Sequence, residues 1–203
     1  MKITVVGMGY VGLSNAVMLA TKHEVSILEI DQEKVLKLNN FQSPIQDSLI
    51  ETYLKEKDLN LSATSDHNAA YEDTSIIIIC TPTNFVNSKV GFDTSSIERV
   101  SSQIHELGFN GLIVIKSTVP IGFTESLEKN FPELNFAFFP EFLREGSALE
   151  DSLNPSRIIC GSHKSEAKEF LNILIDSAQK KYIETLVVSS SEAEAIKLFS
   201  NTF

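Results

Sequence analysis

The stretch Lys2-Ile3-Thr4-Val5-Val6-Gly7-Met8-Gly9-Tyr10-Val11-Gly12 decides the fold. Its first half, Lys2–Val6, is a β-branched run that predicts a short strand. Its glycines stand as G-x-G-x-x-G. From Tyr10 to Thr21, Val11, Leu13, Ala16, Val17, Leu19 and Ala20 recur at the spacing of a helix packed on a sheet. Glu24–Ile30 returns to strand character and Gln32–Asn39 to helix. Strand, glycine turn, helix and second strand make the unit that cradles a dinucleotide pyrophosphate.

Each residue type in that unit has a physical reason. Gly7 permits the tight turn, Gly9 lets the backbone approach the pyrophosphate, and Gly12 allows close helix–strand packing. The helix N-terminus favours negative charge. Glu29 lies near the end of the second strand, where an acid accepts hydrogen bonds from the adenosine ribose and repels a 2′-phosphate. That favours NAD over NADP. Asp31 is a nearby competitor, but Asp is a preferred helix cap. Glu29 is therefore assigned to the ribose and Asp31 to the start of Gln32–Asn39.

The alternation continues outward. Strands are expected at Ser75–Cys80, Leu112–Lys116, Asn135–Phe139, Arg157–Cys160 and Thr185–Val188. Helices are expected at Thr94–Gly108, Phe123–Lys129 and Ser165 to about Ala178. Apolar strands separated by helices indicate strands buried on both faces. The fold class is α/β: a Rossmann-like, doubly wound, mostly parallel sheet. Segments 43–67 and 82–94 are less regular, although Ile50 to Leu59 is amphipathic. Ser191 and Glu194 have capping-box spacing. Beyond them Ala195, Leu198, Phe199 and Thr202 form an apolar helical stripe that stops mid-pattern at Phe203, so the sequence is expected to continue.

Composition excludes several function classes. Among 203 residues, 17 Lys and Arg face 27 Asp and Glu, for a net charge of -10. That balance lacks the basic stripe of a nucleic-acid binder and disfavours docking on anionic lipid. No run approaches the ~20 apolar residues of a membrane span. The chain opens directly on a strand without a leader pattern, so a cytoplasmic protein is expected. Cys80 and Cys160 end apolar runs and read as buried strand residues. No paired Cys or His spacing suggests a metal.

Further polar motifs follow predicted strands: Thr81-Pro82-Thr83, Lys116-Ser117-Thr118-Val119-Pro120-Ile121-Gly122 and Pro140-Glu141-Phe142-Leu143-Arg144-Glu145-Gly146. Taken singly, the first two read as polar turns. Arg144 and Glu145 read as a solvated loop ion pair. Lys197 and Asn201 share one helical face, and spacing alone makes Lys197 a solvent-facing lysine.

Taken in order, together with Asn154-Pro155-Ser156-Arg157 and Glu194–Thr202, these motifs resemble the N-terminal part of the UDP-glucose/GDP-mannose dehydrogenase family. The resemblance implies oxidation of a sugar-nucleotide primary alcohol to a carboxylate by two NAD-dependent hydride transfers, with a cysteine holding the carbonyl carbon between them. The implied substrate is UDP-glucose. A relative acting on GDP-mannose or a UDP-N-acetylhexosamine, or a non-catalytic NAD-binding module, are the alternatives. Gly7, Gly9, Tyr10, Val11 and Gly12 would meet the pyrophosphate and Glu29 the ribose. Lys34, Thr83, Thr118 and Glu145 would also lie near NAD. Glu141 would handle protons and Thr118 would help order the catalytic water. Phe142, Leu143, Arg144 and Glu145 would form a loop against the substrate. Lys197 and Asn201 would contact the sugar and stabilise oxyanion charge, which reverses the spacing-only reading. The implied organisation is an NAD-binding domain over residues 1–189 and the start of a connecting helix over 190–203. The family's nucleophilic cysteine and nucleotide-sugar domain lie beyond this chain, which is therefore expected to be inactive alone. The full-length protein is expected to be a homodimer packed across the connecting helix.

Overall fold

The computed structural model describes residues 1–86 and 91–200. The chain runs β1 (Lys2–Val6), α1 (Tyr10–Ala20), β2 (Glu24–Leu28), α2 (Gln32–Asn39), α3 (Ser48–Glu56), β3 (Leu61–Thr64), α4 (His67–Tyr71) and β4 (Ile76–Ile79). A short antiparallel pair follows, β5 (Phe85–Val86) with β6 (Gly91–Phe92). Then come α5 (Ser95–Glu106), β7 (Leu112–Ile115), α6 (Phe123–Asn130), β8 (Asn135–Phe138), α7 (Ala148–Leu153), β9 (Arg157–Gly161), α8 (Ser165–Ser177), β10 (Glu184–Val188) and α9 (Ser190–Ser200).

The main sheet is ordered β10-β9-β8-β7-β4-β1-β2-β3. From β3 to β8 every pairing is parallel. β9 joins β8 antiparallel at Phe138 and Gly161, and β10 runs parallel to β9. The sheet is doubly wound and mostly parallel, as expected. Its strand order reverses between β1 and β4, so a crevice opens beyond their carboxyl ends.

The continuous apolar runs divide between two cores with period 2. Ile3, Val5, Ile76, Ile78, Leu112 and Val114 pack on the side of α1, α3, α7 and α8. Val6, Ile77, Ile79, Ile113 and Ile115 pack on the other side, with Ile97, Val100 and Ile104 of α5, Leu127 of α6 and Ala193 of α9.

Several expectations are corrected. Residues 43–67 hold more regular structure than expected, a helix over Ser48–Glu56 and a strand over Leu61–Thr64. Asp47 starts α3 by accepting from Leu49 N–H (3.1 Å) and Ile50 N–H (3.2 Å), and Leu61–Thr64 adds an edge strand. Periodicity missed β3 because Leu61-Ser62-Ala63-Thr64 is short and mixed, and its strand state comes from pairing with β2. The capping box of α9 falls two residues earlier than expected. Ser189 N–H donates to Glu192 Oε2 (2.8 Å) and Glu192 N–H to Ser189 Oγ (3.3 Å). Ser191 Oγ instead donates to Glu125 (2.7 Å), and Glu194 turns inward. The packed face of α9 is Ala193 and Ile196, set by β8, β9 and α6 beneath it, whereas Phe199 is 64% exposed. β10 is not buried on both faces: Glu184, Thr185 and Leu186 are exposed because β10 is the outermost strand. Among the described residues no helix is long and apolar enough to cross a membrane, and no cluster of metal-ligating side chains occurs.

Candidate functional site

A cleft of about 780 Å³ lies at the strand-order reversal. Its floor is the turn between β1 and α1. Gly7 takes φ +99°, and a Cβ there would stand 2.8 Å from the Cys80 carbonyl oxygen. A Cβ on Gly12 would stand 1.9 Å from the Gly7 oxygen, so helix and turn touch backbone to backbone. At Gly9 the same atom would meet nothing within 4 Å, which leaves that face of the turn open to a ligand. α1 begins at Gly9 without a side-chain cap. Its first N–H groups point into the cleft end as an anion site.

Glu29 follows β2 and is buried. Its Oε2 accepts from Met8 N–H (2.8 Å) and its Oε1 from Asp31 N–H (3.1 Å), so the carboxylate is held at the cleft wall. Asp31 caps α2 by accepting from Glu33 N–H (2.9 Å) and Lys34 N–H (3.4 Å). Asp31 thus takes the cap expected of it, and Glu29 stands free of that role at the cleft wall. An open glycine turn, an uncapped helix start and a fixed carboxylate fit a dinucleotide. Lys34, Thr83, Thr118, Leu143 and Glu145 also line the cleft.

A charged cluster also lines the cleft. Lys116 continues the register of Leu112 and Val114, so its side chain emerges on the α1 side of the sheet. There its ammonium, 4% exposed, meets Glu141, 18% exposed, at 2.8 Å. Asn15 of α1 donates to the same Glu141 oxygen (3.0 Å) and to Val11 O (2.9 Å). Burial opposes charge on Glu141, but Lys116, the Asn15 amide and Lys197 together hold its carboxyl below the ordinary value. Lys197 of α9 donates to the Glu141 main-chain oxygen. Burial lowers the Lys197 pKa, Glu141 partly restores it and Lys116 lowers it further. The Phe142 ring underlies two cations, Lys197 Nζ at 5.1 Å and the Arg157 guanidinium at 4.8 Å.

Two expected substrate-loop residues do not line the cleft. Phe142 packs against the core beside α9. Arg144, 76% exposed, is clamped by Asp151, with Nη2–Oδ1 at 2.7 Å and Nε–Oδ2 at 3.1 Å. Asn201 lies outside the described residues. Cys80 lines the cleft, but burial pushes its thiol up to about 12, so it is no thiolate nucleophile. Cys160 is buried and donates to Ser162 O (3.3 Å).

The motifs did not single out Asn15 or a role for Lys116. Both carried a signal: an amide within an apolar helical stripe, and a lysine ending an aliphatic strand. Arg99 and Gln103 of α5 also line the cleft, and only the packing of α5 across the sheet puts them there.

Residues 1–179 match the family model for the UDP-glucose/GDP-mannose dehydrogenase family, NAD binding domain. All of the chain aligns with the UDP-glucose 6-dehydrogenases of Campylobacter jejuni, at 43% identity and 52% of that protein, and of Streptococcus pneumoniae, at 44% and 53%. The chain thus spans about half the length of these curated relatives. It superposes over its full length on a UDP-glucose dehydrogenase from Pyrobaculum islandicum, with TM-score 0.87, 30% identity and 49% of that chain covered. A GDP-mannose dehydrogenase from Pseudomonas aeruginosa gives TM-score 0.86, 25% identity and 49% coverage. The chain belongs to the UDP-glucose/GDP-mannose dehydrogenase family and carries its NAD-binding domain.

Proposed function

We propose that this chain is the cofactor half of an enzyme that oxidises UDP-glucose to UDP-glucuronate. The observation that carries the reading is the Glu141–Lys116–Lys197 cluster, which lines the same cleft as the glycine turn. A domain that only held NAD would have no use for it. Residues 1–189 form the NAD domain and 190–203 begin the connector to a nucleotide-sugar domain. When bound, NAD accepts hydride.

The chain's own residues divide the remaining work. Gly7, Gly9, Tyr10, Val11 and Gly12 receive the pyrophosphate, and Glu29 orients the ribose. Lys34, Thr83, Thr118 and Glu145 complete the cofactor walls. Glu141, held ionised by Lys116, accepts a proton, and Thr118 orients water near it. The Lys197 ammonium, half-desolvated, meets negative charge that grows on oxygen in the transition state, and Asn201 is assigned to the same task. Leu143 and Glu145 face the substrate, and Arg144 reaches it only by leaving Asp151. The nucleophilic cysteine belongs to the missing half. The whole enzyme is a cytoplasmic homodimer joined across the connecting helix, in a route to acidic polysaccharide. A second reading, a GDP-mannose or UDP-N-acetylhexosamine substrate, draws on the structural likeness to the GDP-mannose dehydrogenase.

Calorimetry with NAD and NADP tests the cofactor assignment. Glu29→Ala should weaken NAD by about tenfold or more, the worth of a charge-assisted hydrogen bond, and should narrow the preference over NADP. Unchanged NAD affinity removes Glu29 from the site. The chain mixed with NAD and UDP-glucose should bind cofactor without steady NADH formation, and sustained turnover by this chain would overturn the division of labour.

A further inference from the structure

Glu194 lies one helical turn before Lys197 on α9 and is fully buried. Its solvation comes entirely from protein donors. Oε2 accepts from Gly122 N–H (2.6 Å), and Oε1 from Thr124 N–H (2.8 Å) and the Thr124 hydroxyl (2.6 Å). These donors are the start of α6, whose own cap residue, Gly122, sits at φ +85° and offers no side chain. Glu194 therefore supplies, from 70 residues away, the cap that the local sequence lacks, and a carboxylate suits the positive end of that helix.

The bond joins two parts of the cleft. Gly122 closes the turn that carries Thr118, and α9 carries Lys197. Apart from Lys197 itself and an exposed hydrogen bond from Ser191 Oγ to Glu125 of α6 (2.7 Å), the packing of α9 rests on apolar side chains. Ala193 and Ile196 hold it against the sheet, and such non-directional packing tolerates rotation of the helix about its axis. Three charge-assisted bonds, two of them from backbone N–H groups and one from the Thr124 hydroxyl, do not.

We propose that Glu194 is a positioning residue, locking the register of α9 against the Thr118–Gly122 turn and so delivering the Lys197 ammonium to the Glu141 carbonyl. Its consequence for turnover rests on the role given to Lys197 above. The positioning itself needs no substrate to be observed.

The test is the pH midpoint of Lys197, read by pulsed amine acylation and mass spectrometry on the 203-residue chain. Glu141 and Lys116 face this ammonium, with Arg157 over the same ring; Glu125 is the charge nearest Glu194. Glu194→Gln and Glu194→Ala should release Lys197 to water and raise its midpoint by about half a pH unit or more. Thr124→Val removes one of the three donors and should give a smaller rise. Glu192→Gln disturbs only the capping box of the same helix and should leave the midpoint alone. Folded Glu194 variants with a wild-type midpoint overturn the proposal, as does an equal shift in Glu192→Gln. Should the Glu194 variants not fold, an unmoved midpoint in Thr124→Val overturns it. If the midpoint moves but Lys197→Met in the longer enzyme keeps full turnover, the functional reading of Lys197 fails while the positioning stands.

Discussion

Lys116 shows how one side chain sets the chemistry of another. It follows four aliphatic residues of β7, and the strand period alone directs its ammonium toward α1 rather than α5. Glu141 is charged there because Lys116 and Asn15 offset the loss of water. Lys116→Met should leave that carboxylate buried and unpaired. The expected outcome is a Glu141 pKa raised above the ordinary value, seen in a carbon-detected NMR titration. A stability loss of about 3–5 kcal/mol in urea should accompany it. An ionised Glu141 at neutral pH in this variant would show that Asn15 and Lys197 suffice.

At the scale of elements, helices here are started by acids that reach beyond their own turn. Asp47 is buried and caps α3 with one oxygen, while its other oxygen accepts from Leu149 N–H of α7 (3.2 Å). One carboxylate therefore orients two helices that pack beside α1. Asp47→Ala should cost about 2 kcal/mol or more, above a single cap. Asp47→Asn should recover part of it, since its amide oxygen still accepts at one helix. Urea midpoints of the two variants check this, and a loss below about half a kcal/mol in Asp47→Ala would mean the α7 contact contributes nothing.

For the whole molecule the carboxylates decide behaviour in acid. Glu141, Asp151, Glu166 and Glu192 have pKa values lowered in the fold. Such groups contribute stability that is present above their ordinary pKa and lost as pH falls through the depressed one. Glu194 is the opposite case. Burial raises its pKa, Thr124 and Gly122 limit the rise, and its contribution is present below the ordinary carboxylate value and lost as pH climbs through the raised one. Between pH 7 and about pH 5 the raised Glu194 and His23, whose pKa burial lowers, pull in opposite directions, which predicts a nearly level profile; the four depressed carboxylates predict a decline below about pH 4. Urea unfolding across that range measures it. A stability that climbs steadily toward acid would assign the dominant role to Glu194.

By itself the sequence determined the main alternation of strands and helices, the glycine turn and the Asp31 cap, but not α4, α7 or the β5–β6 pair. What it determined depends on neighbours within a few residues: β-branched runs, the 3.6-residue period, a side chain capping the next turn. The short β3, the exposed face of β10 and the true inward face of α9 were not legible, because pairing partners and the sheet beneath them decide those states. The same holds for the site. Motifs named Glu141 and Lys197, but not the Asn15–Glu141–Lys116 contact across three elements, nor the Asp151 clamp on Arg144. Glu194 is the sharpest instance. Its spacing suits a local capping box, yet the fold turns it inward to α6, since a carboxylate is drawn to unsatisfied N–H groups wherever the chain brings them. Charge and hydrogen bonds act through space, and only the tertiary structure says which distant residues share that space.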